Sequence, residues 1–186
     1  NILSFFWSGL SHGRAKIPFI NALQLAVILL IGLIAVAPVS MFGLVAIVLL
    51  SIGARICWSG IITLRPTVWR ANYPATVRAS AVGNFQTVQY IMAGIVGVVM
   101  GSVLNLYPRY FPPLVLAIAA VGLGAFFATR RQRVRRERRI LRGELTAEPV
   151  LKPWQGPAVV WRVLRKDPLW ARFMLWMFVL GLGNML

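Results

Sequence analysis

Long runs of apolar residues, interrupted only by short polar links, make up most of this chain. Four of these runs, at 17–38, 41–64, 81–104 and 112–129, are long enough to cross a membrane as helices. A hydrocarbon core about 30 Å thick needs about 20 apolar residues in a helix, and lipid tolerates only a backbone whose hydrogen bonds are closed. The pattern predicts an all-α, polytopic membrane helix bundle with about four full spans and a partial span at each end.

Composition narrows this picture by excluding other classes of protein. The chain is 59% hydrophobic with a mean hydropathy of +0.75, above the average for soluble domains. The single cysteine, Cys57, excludes an intrachain disulfide, and the single histidine, His12, leaves no cluster of metal ligands. The sequence has no carboxylate pair, no nucleophile with an adjacent base and no glycine-rich phosphate-binding loop. We therefore predict neither an enzyme nor a bound cofactor.

The net charge of +16 is sorted between alternate links of the chain. Seventeen lysines and arginines lie in three segments, namely 11–16, 65–80 and 130–167. Only Arg109 lies in the links between them, 38–40 and 105–111. This alternation is the positive-inside signature, which predicts that the three basic segments face the cytoplasm from an inner (plasma) membrane. Nucleic acid is not a predicted partner, because the arginine tract has no interleaved aromatic residues.

The segment 130–167 differs from the rest of the chain, and it carries all four acidic residues. Its arginine tract is predicted to extend the preceding helix out of the bilayer. After a linker, residues 158–166 place Val160, Trp161 and Leu164 on one helical face. That pattern is typical of a short amphipathic helix lying on an anionic inner leaflet.

Proline, serine and aspartate predict where the helices end. Pro66 is expected to end the second span, and Ser80 is a candidate N-cap for the third. Asp167 and Pro168 supply an N-cap and a first-turn proline for the last apolar run. The chain therefore divides into three parts: a membrane bundle at 1–129, a basic cytoplasmic loop at 130–167 and the start of a further helical unit at 168–186.

A very short loop between two apolar runs contains Gly13-Arg14-x-Lys16. It resembles the end of the Gly-x-x-x-Asp-Arg-x-Gly-Arg-Arg/Lys motif between helices 2 and 3 of the major facilitator superfamily of transporters. The acidic position of that motif falls on Leu10 here, and the arginine after it falls on Ser11.

A second signature follows two spans later, with Tyr73-Pro74-x-x-x-Arg78 and then Gly83. It is similar to the Tyr/Phe-Pro-x-x-x-Arg-Gly signature before helix 5 of that family, although Ala79 replaces the usual glycine. The resemblance implies that both loops act as cytoplasmic gates of a transport pathway.

Two registers are compatible with these motifs, which recur in both halves of the family. Read as helices 8–12, the chain would end in a tail, yet an apolar run follows the basic segment. Read as the end of helix 2 through most of helix 7, segment 130–167 is the central loop between two six-helix halves, which fits better. Because the chain starts without methionine and stops inside an apolar run, we expect it to be an internal part of a longer protein.

Arg55 is the sharpest candidate for contact with a substrate. An arginine near the middle of a span costs about 2.5–3.5 kcal/mol on insertion scales, so it usually faces a water-filled cavity or a polar partner. Ser51 and Ser59 lie four residues to either side, on the same helical stripe. In the resembled fold this helix lines the central cavity. The stripe would suit an anionic group on a substrate or a carboxylate on another helix; the alternative is a packing arginine bound to neighbouring carbonyls.

Three more polar residues are candidates for the same cavity: Asn84, Tyr90 and Asn184. The first two lie in the polar first third of a span, which equally suits a helix end in the headgroup region. Gln86 and Gln89, beside them, are assigned to that region. Small residues four apart on the same span would let two helix backbones pack closely, and they are Ala93, Gly97 and Gly101.

These features predict a secondary active transporter that moves a small solute by alternating access. The resemblance implies coupling to a proton or another solute gradient, although residues 1–129 contain no carboxylate for a proton relay. The alternative is a non-transporting membrane scaffold or sensor whose basic loop binds lipid or a protein partner.

Overall fold

The computed structural model describes residues 2–38, 40–146 and 156–183. Within these ranges it has eight α-helices, one short 3₁₀ helix at Pro108–Tyr110 and no β-strand. The α-helices are α1 (Ile2–Ser11), α2 (Lys16–Ile34), α3 (Met41–Asn72), α4 (Ala75–Leu106), α5 (Phe111–Arg130), α6 (Glu137–Thr146), α7 (Gly156–Lys166) and α8 (Pro168–Gly183). The predicted all-α class is confirmed.

Four helical stretches are long and apolar enough to cross a membrane. They are α2, α3, α4 and the continuous stretch Pro108–Arg130, which includes α5. Their number agrees with the four complete spans predicted from the sequence. By length and composition, the chain is a multi-pass membrane protein.

The core lies where α1 and α2 pack against α3, and α5 covers the other side of α2. Ile61 is 2% exposed and is the most deeply buried large side chain among the described residues. It packs with Trp7, Leu23 and Leu64 in one apolar cluster. The indole N–H of Trp7 donates to the carbonyl of Ile56 at 3.0 Å, which fixes the short helix α1 against α3.

α4 lies apart from this core, since its main close contacts are with α3 and the 3₁₀ helix and it contributes no residue to the core cluster. None of its most apolar 18-residue window is buried. Apolar side chains facing lipid carry no penalty, because acyl chains are as apolar as they are. No described atom lies within 4 Å of a side chain added at Gly97 or Gly101. The close helix seam expected at these glycines and Ala93 therefore stays a prediction.

The prediction that Pro66 ends the second span is wrong, because α3 continues through it to Asn72. A proline inside a helix removes one backbone hydrogen bond. Here the buried face continues past it through Leu64 and Val68, which are 3% and 6% exposed. Continued burial of that face offsets the lost hydrogen bond.

The true break is Pro74, which occupies the N-cap position of α4. Proline disfavours the helical conformation in the residue before it, and Tyr73 accordingly adopts an extended conformation, with φ −111° and ψ 133°. α4 begins at Ala75, so the expected N-cap at Ser80 is wrong: that residue lies in the second turn of the helix.

The arginine tract does not extend α5 as predicted. α5 ends at Arg130, the chain turns through Arg136 with a left-handed φ of 59°, and α6 then starts at Glu137 and contacts the end of the bundle. Val134 is 9% exposed and enters the core cluster, and Ile140 packs against it. Burial of these two apolar residues within a basic segment explains why the tract folds back onto the bundle.

The last two helices agree with the sequence. α7 covers the predicted amphipathic segment. The carboxylate of Asp167 accepts from the backbone N–H of Trp170 at 3.0 Å, and α8 starts at Pro168, which confirms the predicted N-cap.

The polar links gather at two opposite ends of the bundle. The links at 12–15, 73–74 and 131–136 meet at one end, called the basic end below, through bonds of Gly13 and Asn72 to the 133–144 segment. The link residues 35–38 and 40 meet those at 107–110 at the other end, where Pro38 and Arg109 line a common cavity. This pairing agrees with the alternation of charge.

Gly60 of α3 lies close to Trp7 of α1 and Leu23 of α2, so its substitution tests how these helices pack. A Cβ there would lie 2.6 Å from Cδ1 of Leu23 and 2.8 Å from Cδ2 of Trp7. Because the indole is buried and hydrogen-bonded, Gly60→Ala should lower the free energy of unfolding by about 1–3 kcal/mol. Gly32→Ala in α2 is the matched control, since a Cβ there meets no described atom within 4 Å. Equal melting temperatures for the two variants in detergent would contradict the packing of α1 against α3.

Candidate functional site

A cavity of about 470 Å³ opens on one face of α3, and we call it the Arg55 cavity. Ser51, Arg55 and Ser59 all line it, together with Leu3 of α1 and apolar residues of α3. The four-residue spacing of the polar stripe therefore brings its members to one surface, as the sequence predicted. The walls are largely apolar, so the stripe supplies the polar groups of this space.

The polar groups of this cavity are unpaired within the described part of the chain. Arg55 is exposed and forms no hydrogen bond or ion pair there, so no neighbouring carbonyl holds it as a packing arginine would be held. Ser59 is 7% exposed, and its buried hydroxyl oxygen has no hydrogen-bond partner. A buried polar atom without a partner costs free energy, so a ligand that bonded it would be favoured.

The other cavity candidates do not join this stripe. Asn84 and Tyr90 lie exposed on α4, with Tyr90 at 73%, and neither lines the Arg55 cavity. Asn184 lies outside the described residues. The structure thus supports one polar stripe on α3 and no contribution from α4 to it.

A separate cavity near the basic end, of about 280 Å³, includes two residues that sequence reasoning set aside. Gln86 and Gln89 of α4 line it with Arg65 of α3. The guanidinium carbon of Arg65 lies 5.1 Å from the ring centroid of Trp58, a cation–π distance. The two glutamines were assigned to the headgroup region, and no sequence pattern indicated that they face α3.

The loop with the first of the two resembling motifs, Gly13-Arg14-x-Lys16, is held by a carboxylate from α6. Gly13 adopts a left-handed φ of 66°, which glycine allows without strain, and its N–H donates to Oε2 of Glu144 at 3.0 Å. The Nζ of Lys16 lies 2.8 Å from the same oxygen and 2.7 Å from the Ser11 carbonyl. Lys16 is 4% exposed, so these partners take the place of the water that would otherwise solvate its ammonium group. Arg14 is exposed.

The second resembling motif caps the C-terminal end of α3. The guanidinium of Arg78 donates to the carbonyls of Arg70 and Tyr73 at 3.2 and 3.1 Å, which caps the end of α3 from the first turn of α4. The ring of Tyr73 meets Phe85 edge-to-face at 6.5 Å. Pro74 breaks the helix between these groups. Gly83 has open space where a side chain would lie, so nothing in the described residues requires a glycine there.

Sequence reasoning missed two residues that organise the basic end. The side chain of Asn72 donates to the carbonyl of Arg133 at 3.1 Å and accepts from the N–H of Arg135 at 2.8 Å, which ties α3 to the segment before α6. Glu144 ties α6 to the loop at 12–15. All the bonds of Asn72 and Glu144 to these partners join residues more than 60 positions apart, so no local pattern indicates them. An acidic residue within an arginine-rich tract was the only signal for Glu144.

The pair of Lys16 and Glu144 generates a double-mutant prediction. Glu144→Gln leaves a buried ammonium without its counter-charge, so we expect a loss of about 3 kcal/mol in stability, the low end for breaking a buried pair. Lys16→Met combined with Glu144→Gln removes both partners and should recover part of that loss. Melting of the four proteins in one detergent gives the coupling energy. Strictly additive single effects would show that the two side chains do not stabilise each other.

Known proteins supply no identification for this arrangement. A scan against protein-family models, a search of curated proteins and a search of solved structures found no match to the chain.

Proposed function

We propose that the chain forms part of a secondary active transporter, similar to the major facilitator superfamily, that moves a small solute by alternating access. The observation that carries this proposal is the Arg55 cavity. It combines a guanidinium near the middle of a long apolar helix with a buried serine hydroxyl, and neither is paired within the described residues.

The energetics of the membrane favour a functional reading of Arg55. A charge near the centre of a span is costly, and such residues mark substrate or ion pathways. The planar guanidinium binds carboxylate or phosphate through two parallel hydrogen bonds. The cavity volume of about 470 Å³ lies within the range of small-molecule sites. A small solute with an anionic group is therefore the substrate class that this site fits best.

The basic end supplies the parts that a gate needs. Both loops that resemble the gating motifs are tied to one segment, 131–146, by Glu144 and Asn72. Opening that side requires these few polar bonds to break while the apolar core of α2 and α3 persists. Coupling to protons would need carboxylates outside residues 1–129, which contain none; coupling to another ion remains compatible with this part of the chain.

The rival proposal is a non-transporting scaffold or sensor that uses the basic loop to bind lipid or a partner. The docked position of α6, which presents arginines at the basic end, favours it. The two proposals differ in what they require of Arg55: a transporter needs its charge for turnover, whereas a scaffold does not.

Removal of the Arg55 charge tests the transport proposal. Small carboxylates and phosphate esters would first be screened for a rise in melting temperature, and uptake of the stabilising compound would then be measured in proteoliposomes. Arg55→Ala should abolish uptake per folded molecule while insertion is retained, because the change removes an insertion cost. Arg55→Lys should restore only part of the activity, since lysine offers a point charge in place of a two-pronged donor.

Matched serine variants give the control for that experiment. Ser59→Ala should weaken the apparent affinity several-fold, whereas Ser102→Ala on α4, outside the cavity, should leave it unchanged. Normal turnover by a destabilised Arg55→Ala protein would instead identify Arg55 as a packing residue and remove the main support for transport.

The membrane orientation is a separate prediction. Single cysteines at Ser40 and Arg142, in a Cys57→Ser background, would be treated with an impermeant thiol reagent in intact cells. The excess of positive charge at the basic end predicts that position 142 lies in the cytoplasm, so only position 40 should react. Reaction at 142 without reaction at 40 would reverse the orientation.

A further inference from the structure

A cavity of about 600 Å³ at the basic end is walled by four arginines from two separate parts of the chain. Arg70 comes from the end of α3, whereas Arg135, Arg136 and Arg139 come from the turn before α6 and its first turn. Thr67 and Glu144 also line it. The cavity is distinct from the Arg55 cavity, with which it shares no lining residue.

The positive charge in this cavity is not neutralised within the described part of the chain. None of the four arginines forms an ion pair with a carboxylate of those residues. Glu144, the acidic residue in the wall, gives one oxygen to both the ammonium of Lys16 and the N–H of Gly13. Four guanidinium groups around one space repel each other unless an anion lies between them.

The backbone that carries these arginines is fixed. Asn72 bonds the backbone of residues 133 and 135 in both directions, at 3.1 and 2.8 Å. Val134 is buried in the core, and Ile140 packs against it. The N–H groups of Arg139 and Ile140 both donate to the carbonyl of Arg136, which closes the first turn of α6. An anion would thus meet arginines whose main-chain positions are already set, which lowers the ordering cost of binding.

We propose that this cavity binds a phosphate group, carried either by an anionic lipid headgroup or by free phosphate. A tetrahedral phosphate has oxygens enough to accept from several guanidinium groups at once, and paired N–H donors of arginine match its geometry. The hydroxyl of Thr67 offers one further donor. Occupancy would join α3 to α6 and reinforce the bond of Asn72. The proposal does not depend on transport, since it concerns a different cavity.

Both sources of phosphate can reach the cavity. Arg70 lies six residues beyond the buried Leu64 of α3, roughly 9 Å along the helix axis, and the cavity opens at the end of the bundle where the polar links meet. A lipid headgroup would approach from the membrane surface, and free phosphate from the aqueous side.

The test measures the melting temperature of the full chain in two arms. In the first, inorganic phosphate is titrated at constant ionic strength against chloride, with the protein in nanodiscs of phosphatidylcholine alone. In the second, phosphatidylglycerol replaces part of the phosphatidylcholine and no phosphate is added. We expect stabilisation of the wild type in at least one arm. A response to inorganic phosphate identifies a free-phosphate site, and a response confined to the second arm identifies a lipid headgroup site.

Neighbouring arginines provide the matched control. Arg139→Gln and Arg70→Gln each remove one guanidinium from the cavity lining. Each should weaken the apparent affinity for phosphate or for the anionic lipid about ten-fold, as expected for the loss of a charge-assisted hydrogen bond. Arg138→Gln makes the same charge change at an exposed residue outside the lining and should alter it less than two-fold. Arg139→Lys keeps the charge and should give an intermediate loss. No stabilisation in either arm, or equal losses for the 138 and 139 glutamine variants, would overturn the site in favour of diffuse attraction by the basic tract.

Discussion

Lipid offers no hydrogen bonds to a polypeptide backbone, and a charge placed in it must find water, a partner or the membrane surface. The four long apolar helices satisfy the first condition through their own hydrogen bonds. The second condition shapes the rest of the molecule. It keeps carboxylates out of residues 1–129 and gathers most arginines and lysines in the links at one end. Arg55, near the middle of α3, is a charge that a bilayer would not tolerate without a cavity or a partner.

The basic end shows how a fold handles an excess of one sign of charge. A single carboxylate, Glu144, is shared between a buried lysine and a backbone N–H. Arg78 is bound by helix-end carbonyls, which carry the negative end of the helix dipole. Four further arginines converge on one cavity, namely Arg70, Arg135, Arg136 and Arg139. The first two arrangements bring negative potential to a cation, whereas the described chain pairs none of the four converging arginines with a carboxylate.

Sequence periodicity was sufficient to predict the helices because the bilayer fixes their length and polarity. The N-cap at Asp167 was predictable as well, because a helix cap depends only on residues that are neighbours in the chain. The failures at Pro66 and the arginine tract share one cause, which is that tertiary burial overrode a local signal. Val68 continues the buried face of α3 past its proline, and Val134 draws a basic segment onto the core. The prediction at Ser80 failed for a local reason, because the proline at position 74 starts α4 at Ala75.

The candidate site was predictable from the sequence only where its residues lie on one helix. The stripe of Ser51, Arg55 and Ser59 follows from helical spacing alone, and the structure brings all three to one cavity. Glu144 and Asn72 could not be found in this way, since their partners are distant in the chain. Whether Asn84 and Tyr90 face the same cavity depends on how α4 packs, which the sequence does not indicate. In the structure, α4 presents neither residue to that cavity.

The central claim is that the Arg55 cavity is an aqueous path open in turn to each side of the membrane. Its most direct measurement is the reaction of a cysteine at Ser51, in a Cys57→Ser background, with a small membrane-impermeant thiol reagent added from either side of oriented proteoliposomes. Ser102→Cys, on the exposed surface of α4, serves as the lipid-facing control. Reaction at position 51 from both sides, slowed by a stabilising anionic solute and absent at position 102, is the predicted result. No reaction at position 51 from either side would show that the cavity is closed to water and would contradict alternating access.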